Sequence, residues 1–313
     1  MLPFFSIVIP VYNKENHIKA TLESVLNQSF KDFEVIIVND GSTDGSDTII
    51  KQKSDERIRL YTIENHGVSF ARNYGISKAR TSFIALLDAD DIWYSNHLED
   101  LKNLLKRFPN CGLYCTAYET SYYNKKIVKG KFLEIDDFFE GIVPDYFVSS
   151  LVNSIAWPSA VVIPKAILEK HGYFNVDLIS GQDTELWIRI ALKESVAFTS
   201  KISARRIISD TGNHLSLSDK RGDRLKVLEE FEEYEKTNQS FKKYMDLNRF
   251  SVAMERKMNG DIENFRKVTK NINFNNLNTK QKVILKLPRF VLNSLKKIQV
   301  FLIKKNIYLT PFR

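Results

Sequence analysis

Three aspartates that directly follow a short apolar segment have the types and spacing to hold a cation. Residues 83–87 are apolar, and Asp88, Asp90 and Asp91 come next. An apolar run of this length between polar residues predicts a buried strand. Residues i and i+2 of an extended segment point to the same side, so Asp88 and Asp90 could converge on one ligand. Paired carboxylates favour Mg²⁺ or Mn²⁺, although isolated acidic triplets are also common in solvated loops.

A second carboxylate with possible chemistry is Asp183, which follows Gly181 at the start of a predicted helix. The helix dipole favours the ionised form of an acid at this position. Asp183 is therefore either an ordinary acid of a helix N-terminus or a general base. Glu185 and Arg189 lie four residues apart on the same helix and are expected to pair with each other.

The other reactive side chains give weaker indications. None of the five histidines forms an H-x-x-x-H pair, and His214, in the polar loop 210–216, is the one we keep as a candidate metal ligand. Arg72 is either a phosphate or base contact or a surface charge. Cys111 and Cys115 have no further zinc ligands at close spacing, so we expect two buried thiols.

These residues must be positioned by an alternation of apolar strands and helices in the first ninety residues. Strands are predicted at 5–11, 33–38, 58–62 and 83–87, with helices at 15–27, around 49–50 and at 68–79. Strands that are apolar throughout predict a parallel sheet covered on both faces, and ligands bind outside the carboxyl ends of such strands. The polar clusters at 10–13, 39–42 and 88–90 could therefore share one crevice. Neither a dinucleotide fingerprint nor a P-loop is present.

The chain then becomes less regular. Helices are predicted at 97–108, 165–171 and from 182 onward, strands at 112–118, 127–132 and 160–163, and irregular structure at 136–158. From about residue 217 the chain is helical and highly charged. We divide it into a catalytic domain at 1–216, a helical extension at 217–278 and a basic amphipathic tail at 279–313.

The charge of the chain is concentrated in its last fifty residues. The 313 residues are 43% hydrophobic and carry a net charge of +8, yet residues 264–313 contain twelve Lys and Arg and no acid. Apolar residues recur at helical intervals in the tail, and Pro288 divides the pattern in two. Such a helix either lies on anionic lipid or packs on the domain. No nucleic-acid-binding module is recognisable, so nucleic acid is not an expected partner.

The location expected from the sequence is the cytoplasm, with peripheral attachment to the inner face of the cell membrane. The first residues lack the basic region of a signal peptide, and no run of about 18 apolar residues occurs. The tail would supply the membrane contact.

Five segments, in this order, resemble the large family 2 glycosyltransferases. They are Ser6-Ile-Val-Ile-Pro-Val-Tyr-Asn13, Ile37-Val-Asn-Asp-Gly-Ser-Thr-Asp44, Asn65-His-Gly-Val-Ser-Phe-Ala-Arg-Asn-Tyr-Gly-Ile76, Phe83-Ile-Ala-Leu-Leu-Asp-Ala-Asp-Asp91 and Gly181-Gln-Asp-Thr-Glu-Leu-Trp187. The resemblance covers roughly residues 4–216. It implies a GT-A fold, an α/β architecture with a mostly parallel central sheet covered by helices. It also implies inverting transfer from a nucleotide sugar, usually linked to UDP.

The resemblance also implies roles for individual residues. The nucleotide would be held by Pro10, Tyr12, Asn13, Glu15, Asp40, Ser42, Arg72, Asp88 and Ala89. Asp88 would face the ribose or uracil, and Asp90 would bind the Mn²⁺ or Mg²⁺ that bridges the diphosphate. Asp183 matches the catalytic base. Gln182 stands where the family often has Glu, which affects acceptor contacts more than the chemistry.

We therefore expect an enzyme that adds one sugar to a lipid-linked or polysaccharide acceptor in a capsule, O-antigen or exopolysaccharide pathway. One alternative is a non-catalytic protein that binds a nucleotide sugar in the same cleft. Another is a peripheral membrane adaptor in which the tail is the functional part. Asp183 separates the enzyme from the binding protein, because a binding protein has no need of a base.

Overall fold

A computed structural model describes residues 2–123, 126–208 and 224–312 of the chain. Within these residues ten strands form a single sheet. The strands are β1 (Phe5–Val11), β2 (Phe33–Asp40), β3 (Ile58–Ile63), β4 (Phe83–Leu86), β5 (Ile92–Trp93), β6 (Leu113–Tyr122), β7 (Lys126–Lys129), β8 (Glu140–Ile142), β9 (Val161–Pro164) and β10 (Val196–Ile208).

The helices fall into a group that covers the sheet and a C-terminal group. The first group is α1 (Ile18–Leu26), α2 (Ser46–Lys51), α3 (Val68–Lys78), α4 (His97–Arg107), α5 (Tyr146–Ser149), α6 (Lys165–His171) and α7 (Gln182–Ala191). The second group is α8 (Arg224–Glu230), α9 (Glu232–Glu235), α10 (Gln239–Asn259), α11 (Ile262–Lys270), α12 (Thr279–Lys286) and α13 (Arg289–Lys304).

The topology of the sheet brings several strand ends to one side. The order is β3-β2-β1-β4-β9-β6-β10-β5, with β7 on β6 and β8 on β10. β3, β2, β1 and β4 are parallel. Because β9 is antiparallel to both β4 and β6, β6 and its parallel partner β10 point the same way as β1. The ends of these strands, at Val11, Asp40, Leu86, Tyr122 and Ile208, form what we call the carboxyl edge.

Two apolar layers enclose the sheet, as the continuous apolar strands predict. Alternate residues of a strand point to opposite faces, so Val8 packs in the layer that includes Ala71 of α3, whereas Ile7 and Ile9 pack in the layer that includes Leu22 of α1. The predicted α/β fold with a mostly parallel sheet is therefore confirmed. Both cysteines are buried free thiols, also as expected.

The largest departure from the expected elements is β10, a strand of thirteen residues that the sequence analysis did not anticipate. It pairs along the whole of β6, with register shifts between Thr199 and Ile202 and between Ile202 and Ala204. These irregularities interrupt the alternation that marks a strand in sequence. Smaller corrections are the later start of α1, at Ile18, and the shorter β7, at Lys126–Lys129.

The C-terminal helices share the core of the sheet. The apolar layer that contains Val8 continues through Phe147 and Trp187 to Phe241 and Phe250 of α10. The boundary that we expected at residues 216 and 217 lies outside the described residues. Pro288 separates α12 from α13, as its position in the sequence predicts.

The tail combines the two arrangements that its sequence left open. On α13, Leu292 and Ile303 are buried, so this face of the helix packs on the protein. Phe290 and Phe301 lie about half a turn away from that face and are 72% and 60% exposed. Among the described residues, no helix is both long and apolar enough to cross a bilayer.

A test of how closely α3 packs on the sheet is the variant Gly75→Ala. A Cβ at Gly75 would lie 2.5 Å from Cγ1 of Val8 and 3.3 Å from Cγ2 of Val38. We expect a loss of about 1–3 kcal/mol in the free energy of unfolding from overpacking, larger than the gain in helix propensity. Urea denaturation measures it. The exposed Ser77→Ala on the same helix is the matched control, and a Gly75→Ala protein as stable as this control would contradict the close packing.

Candidate functional site

The loop after β2 is built around the carboxylate of Asp40. Its two oxygens accept hydrogen bonds from the backbone amides of His66, at 2.8 Å, and Gly67, at 2.9 Å. Asn65 donates to the carbonyl of Asp40, and a Cβ at Gly41 would lie 2.8 Å from the amide nitrogen of Asn65. Gly41 has a φ of +69°, a conformation that favours glycine. Asp40 therefore fixes the start of α3 at the carboxyl edge.

Asp88 lies beside Arg72, which has a buried side chain. Nη2 of Arg72 donates to Oδ1 of Asp88 at 2.6 Å, and the guanidinium lies 5.1 Å from the ring centroid of Phe174. Nε and Nη1 of Arg72 are buried and have no hydrogen-bond partner among the described residues. Buried donors without partners are rare in folded proteins and are often explained by a ligand. Arg72 is therefore no simple surface charge.

Asp90 forms an ion pair with Lys14. Nζ of Lys14 lies 2.7 Å from Oδ2 of Asp90, and both side chains are largely buried. The carbonyl of the intervening Ala89 accepts a hydrogen bond from Thr21 of α1 at 3.0 Å, which holds the acidic turn against that helix. The two aspartates that the sequence analysis paired thus have separate cationic partners.

Asp91 is buried and holds the sheet together. It accepts hydrogen bonds from Oγ of Ser159 at 2.6 Å and from the amide of Ile207 in β10 at 3.1 Å. Burial, followed by the charges of Asp90 and Asp88, raises the pKa of Asp91 well above its usual range. This aspartate joins β4 to β10 and is not placed to meet a substrate.

The remaining residues expected at the nucleotide lie in the loops that follow β1 and β2. The amide of Asn13 donates to Oγ of Ser42 at 3.1 Å, and Oδ1 of Asn13 accepts from the amide of Thr43 at 2.8 Å. Glu15 accepts from the amide of Gly45 at 2.8 Å. Pro10 is half-buried near the end of β1, and the adjacent Tyr12 is 47% exposed. The two loops are thus joined side by side.

Asp183 lies at the start of α7, where the sheet meets the C-terminal helices. Its Oδ1 accepts from the amide of Thr184 at 2.7 Å. Burial raises the pKa of Tyr244 in α10 to about 12, and the charge of Asp183 adds to this effect. Burial also raises the pKa of Tyr118, again with a contribution from Asp183. Glu185 pairs with Arg189 at 2.6 Å, as its spacing predicts.

The donor set at the carboxyl edge fits a metal ion whose other ligands come from a substrate. Within the described ranges, no three His, Cys, Asp or Glu side chains lie together as a complete metal site. Mg²⁺ is commonly held by one or two carboxylates together with substrate phosphates, and Asp88 and Asp90 supply carboxylates of this kind. The candidate ligand His214 lies outside the described residues.

Three residues at the site were not found by the sequence analysis. They are Lys14, Ser159 and Arg206, of which Arg206 is half-buried in β10. The charge of Arg206 lowers the pKa of Asp91 in part, which shows that the guanidinium lies near this aspartate. The position of Lys14 beside the polar segment 10–13 was the available sequence signal, whereas nothing marked Ser159, because serines are common in turns.

Comparison with known proteins gives a consistent result. Residues 6–172 match the family model described as Glycosyl transferase family 2. A glycosyltransferase of Rickettsia typhi, RT0329, named as uncharacterized, is 31% identical over 210 residues, which cover 66% of this chain and 65% of the relative. The match therefore spans slightly less than two thirds of the length of that relative.

Two further proteins are informative. TuaG of Bacillus subtilis, whose name assigns it provisionally to teichuronic acid biosynthesis, is 32% identical over 201 residues, covering 63% of this chain and 75% of TuaG. The structure of S. aureus TarS residues 1–349 in complex with UDP-GlcNAc superposes with a TM-score of 0.60 at 18% identity, covering 85% of this chain and 90% of that one. This similarity shows a shared fold.

A core histidine beside the site provides a test by pH. His97 is buried, stacks on Trp93, and places Nδ1 2.8 Å from Oγ of Ser203, so it is structural. Burial lowers the pKa of His97 from 6.5 to about 3. Below pH 6.5 the unfolded chain therefore binds a proton that the folded protein does not. This histidine should lower the free energy of unfolding by about 1.4 kcal/mol per pH unit between pH 6.5 and 3.

The measurement is urea unfolding at pH 7, 6 and 5. The variant His97→Gln should be less stable at pH 7 but should lose less stability on acidification than the unmodified protein. The exposed His66→Gln should keep the original pH dependence. An unchanged slope in His97→Gln would show that this histidine is not the titrating group.

Proposed function

Because this chain belongs to glycosyl transferase family 2, we propose that it transfers one sugar from a nucleotide-sugar donor to a hydroxyl group of an acceptor. The observation that carries this proposal is Arg72. Its buried guanidinium is bonded to Asp88 and keeps two donors without partners at the carboxyl edge of the sheet. A nucleotide would supply the missing acceptor atoms, and Asp40 stands in the neighbouring loop.

The donor that fits this proposal best is a UDP-sugar. TarS, which has the same fold, has been crystallised with UDP and with UDP-GlcNAc. In our assignment, the joined loops that contain Asn13 and Ser42 lie against the nucleoside, and Asp88 faces the ribose or uracil. Pro10, Tyr12, Glu15 and Ala89 complete this part of the proposed site.

The reaction that we propose is a single displacement. The acceptor oxygen attacks the anomeric carbon from the face opposite the nucleoside diphosphate, a bond to that carbon forms as the bond to the diphosphate breaks, and the configuration inverts. Asp183 takes the proton of the attacking hydroxyl. Its Oδ1 is held by the amide of Thr184, so the carboxylate is oriented before an acceptor binds. Such a base contributes roughly 10²–10⁴-fold to the rate.

The metal ion of this proposal would be held by Asp90, with Asp88 beside it. When bound, Mn²⁺ or Mg²⁺ supplies positive charge that stabilises the departing diphosphate. Arg72 lies on the same side of the site and offers further positive charge from within the protein. Asp183 belongs to a different element and acts on the acceptor, so the proposed acid–base and charge-stabilising roles are separated.

For the acceptor we propose a lipid-linked or polysaccharide glycan of the cell envelope. The name of TuaG, which refers to a cell-envelope polymer, supports this class. The position of the tail also supports it. The hydroxyl of Tyr308 lies 3.5 Å from that of Tyr122 at the carboxyl edge, and Lys304 lies over the ring of Tyr123. The tail thus ends close to the proposed site.

We further propose that α13 rests on the inner face of the cell membrane. Phe290, Ile298 and Phe301 fall within about a quarter of a turn on the exposed side of the helix. Lys297 and Lys305 lie close to the same side in the helical projection. Residues 264–313 contain no acid, so their charge is complementary to anionic lipid.

The main alternative is a protein that binds a nucleotide sugar without transferring it. It would share Asp40, Arg72 and Asp88 with the enzyme but would not depend on Asp183. An adaptor that acts through its tail alone would not depend on any of the four. The following variant separates these functions.

The variant Asp183→Asn tests the proposed reaction. It should lower sugar transfer or donor hydrolysis by roughly 10²–10⁴-fold, because the base is lost, while affinity for UDP is unchanged. Release of UDP from UDP-sugars in the presence of Mn²⁺ measures the rate, and calorimetry measures the affinity. The exposed Asp177→Asn, six residues earlier, is the matched control. Full activity in Asp183→Asn would reject this residue as the base.

The membrane proposal is tested by the double variant Phe290→Ser and Phe301→Ser. Full burial of one Phe is worth about 1.5–3 kcal/mol, so loss of two should weaken binding to vesicles by at least about tenfold. Sedimentation with vesicles of phosphatidylglycerol and phosphatidylcholine measures this. Phe138→Ser removes an equally large ring that is 95% exposed elsewhere. If the double variant sediments like this control, α13 is not the contact.

A further inference from the structure

The ion pair between Lys14 and Asp90 places an ammonium group on the carboxylate that we assign to the metal ion. Nζ of Lys14 lies 2.7 Å from Oδ2 of Asp90, and the side chains are 15% and 13% exposed. The two residues are 76 positions apart in the chain. The contact is therefore made by the fold, which brings the β1–α1 loop to the end of β4, and not by neighbours in sequence.

The backbone of Lys14 is held on both sides of the residue. Its amide donates to Oγ of Ser46 at 2.8 Å, and its carbonyl accepts from the amides of His17 and Ile18, both at 2.9 Å. The loop thus points the side chain at Asp90. Because lysine has a flexible four-carbon stem, the ammonium can leave the carboxylate without movement of the loop.

The surroundings of Asp90 require a positive charge. Asp88 lies beside Arg72, and the buried Asp91 is bonded to uncharged groups. A second cation on Asp90 would meet the ammonium at close range, where like charges in a partly buried site repel strongly. An ammonium and a divalent ion are therefore competitors for this carboxylate.

We propose that Lys14 and a divalent metal ion are alternative counter-ions of Asp90, so that the ion binds only as the ammonium leaves. This inference rests on the proposed function, because the metal ion belongs to it. Lys14 is then a positioning residue that keeps the edge electrically balanced before the donor binds. The diphosphate of an incoming donor gives the released ammonium a new anionic partner, which couples metal entry to donor binding.

The test is a titration of the full-length chain with Mn²⁺ alone, followed by the electron paramagnetic resonance signal of the free ion. Lys14→Met removes the competing charge and should bind Mn²⁺ at least about tenfold more tightly than the unmodified protein, the lower end of what an adjacent charge does to proton binding. Lys14→Arg keeps the charge and should not gain affinity. A variant with only a structural defect would lose affinity instead.

Two controls locate the effect. Lys19→Met removes the same charge from the exposed side of α1 and should leave Mn²⁺ affinity unchanged. Asp90→Asn added to Lys14→Met should abolish the gain. If the gain persists without Asp90, the ion binds elsewhere and the exchange is rejected. Equal or weaker binding by Lys14→Met also rejects it, as does undetectable binding by both proteins.

Failure of this inference differs from failure of the proposed function. Transfer by the unmodified protein with UDP-sugars, lost in Asp183→Asn, together with an unchanged Mn²⁺ affinity in Lys14→Met, would reject only the exchange. Tighter Mn²⁺ binding in Lys14→Met without any transfer activity would reject only the enzyme.

Discussion

Four carboxylates at the ends of buried strands must each be compensated, and the arrangement of the carboxyl edge depends on how this is done. Asp40 and Asp91 accept hydrogen bonds from uncharged groups, whereas Asp88 and Asp90 each meet a cationic side chain. An uncompensated buried charge would cost several kcal/mol, so no member of this set is dispensable for folding. The acids are separate pairs with different surroundings and do not form one cluster.

The two kinds of compensation suit different tasks. Backbone amides and the Ser159 hydroxyl are fixed by the sheet and its loops, so the carboxylates they hold stay in place when a ligand binds. Cationic side chains can move to another anion, so their carboxylates can take part in exchange. Asp40 and Asp91 thus order the loops around α3 and β10, while Asp88 and Asp90 belong to the part of the edge that can respond to a nucleotide.

The first half of the fold could be predicted because its information is local. Each of β1, β2 and β4 is an apolar run that ends in a polar turn, and buried parallel strands need nothing more. β10 could not be predicted in this way. Its centre contains Ser200, Lys201 and Ser203, two register shifts break its alternation, and its pairing with β6 joins residues about eighty positions apart. Its strand character comes from this partner and not from its own sequence.

The candidate site divides along the same line. Spacing after a strand is local information, so Asp88, Asp90 and Asp183 could be singled out. The partner of a carboxylate is set by tertiary structure, and a lysine in one loop carries no sign that it will reach an acid 76 residues away. This difference matters for function, because a metal ligand is defined as much by what it must release as by its own oxygens. At the carboxyl edge of this protein, the affinity of Asp90 for any cation is a difference between two bound states.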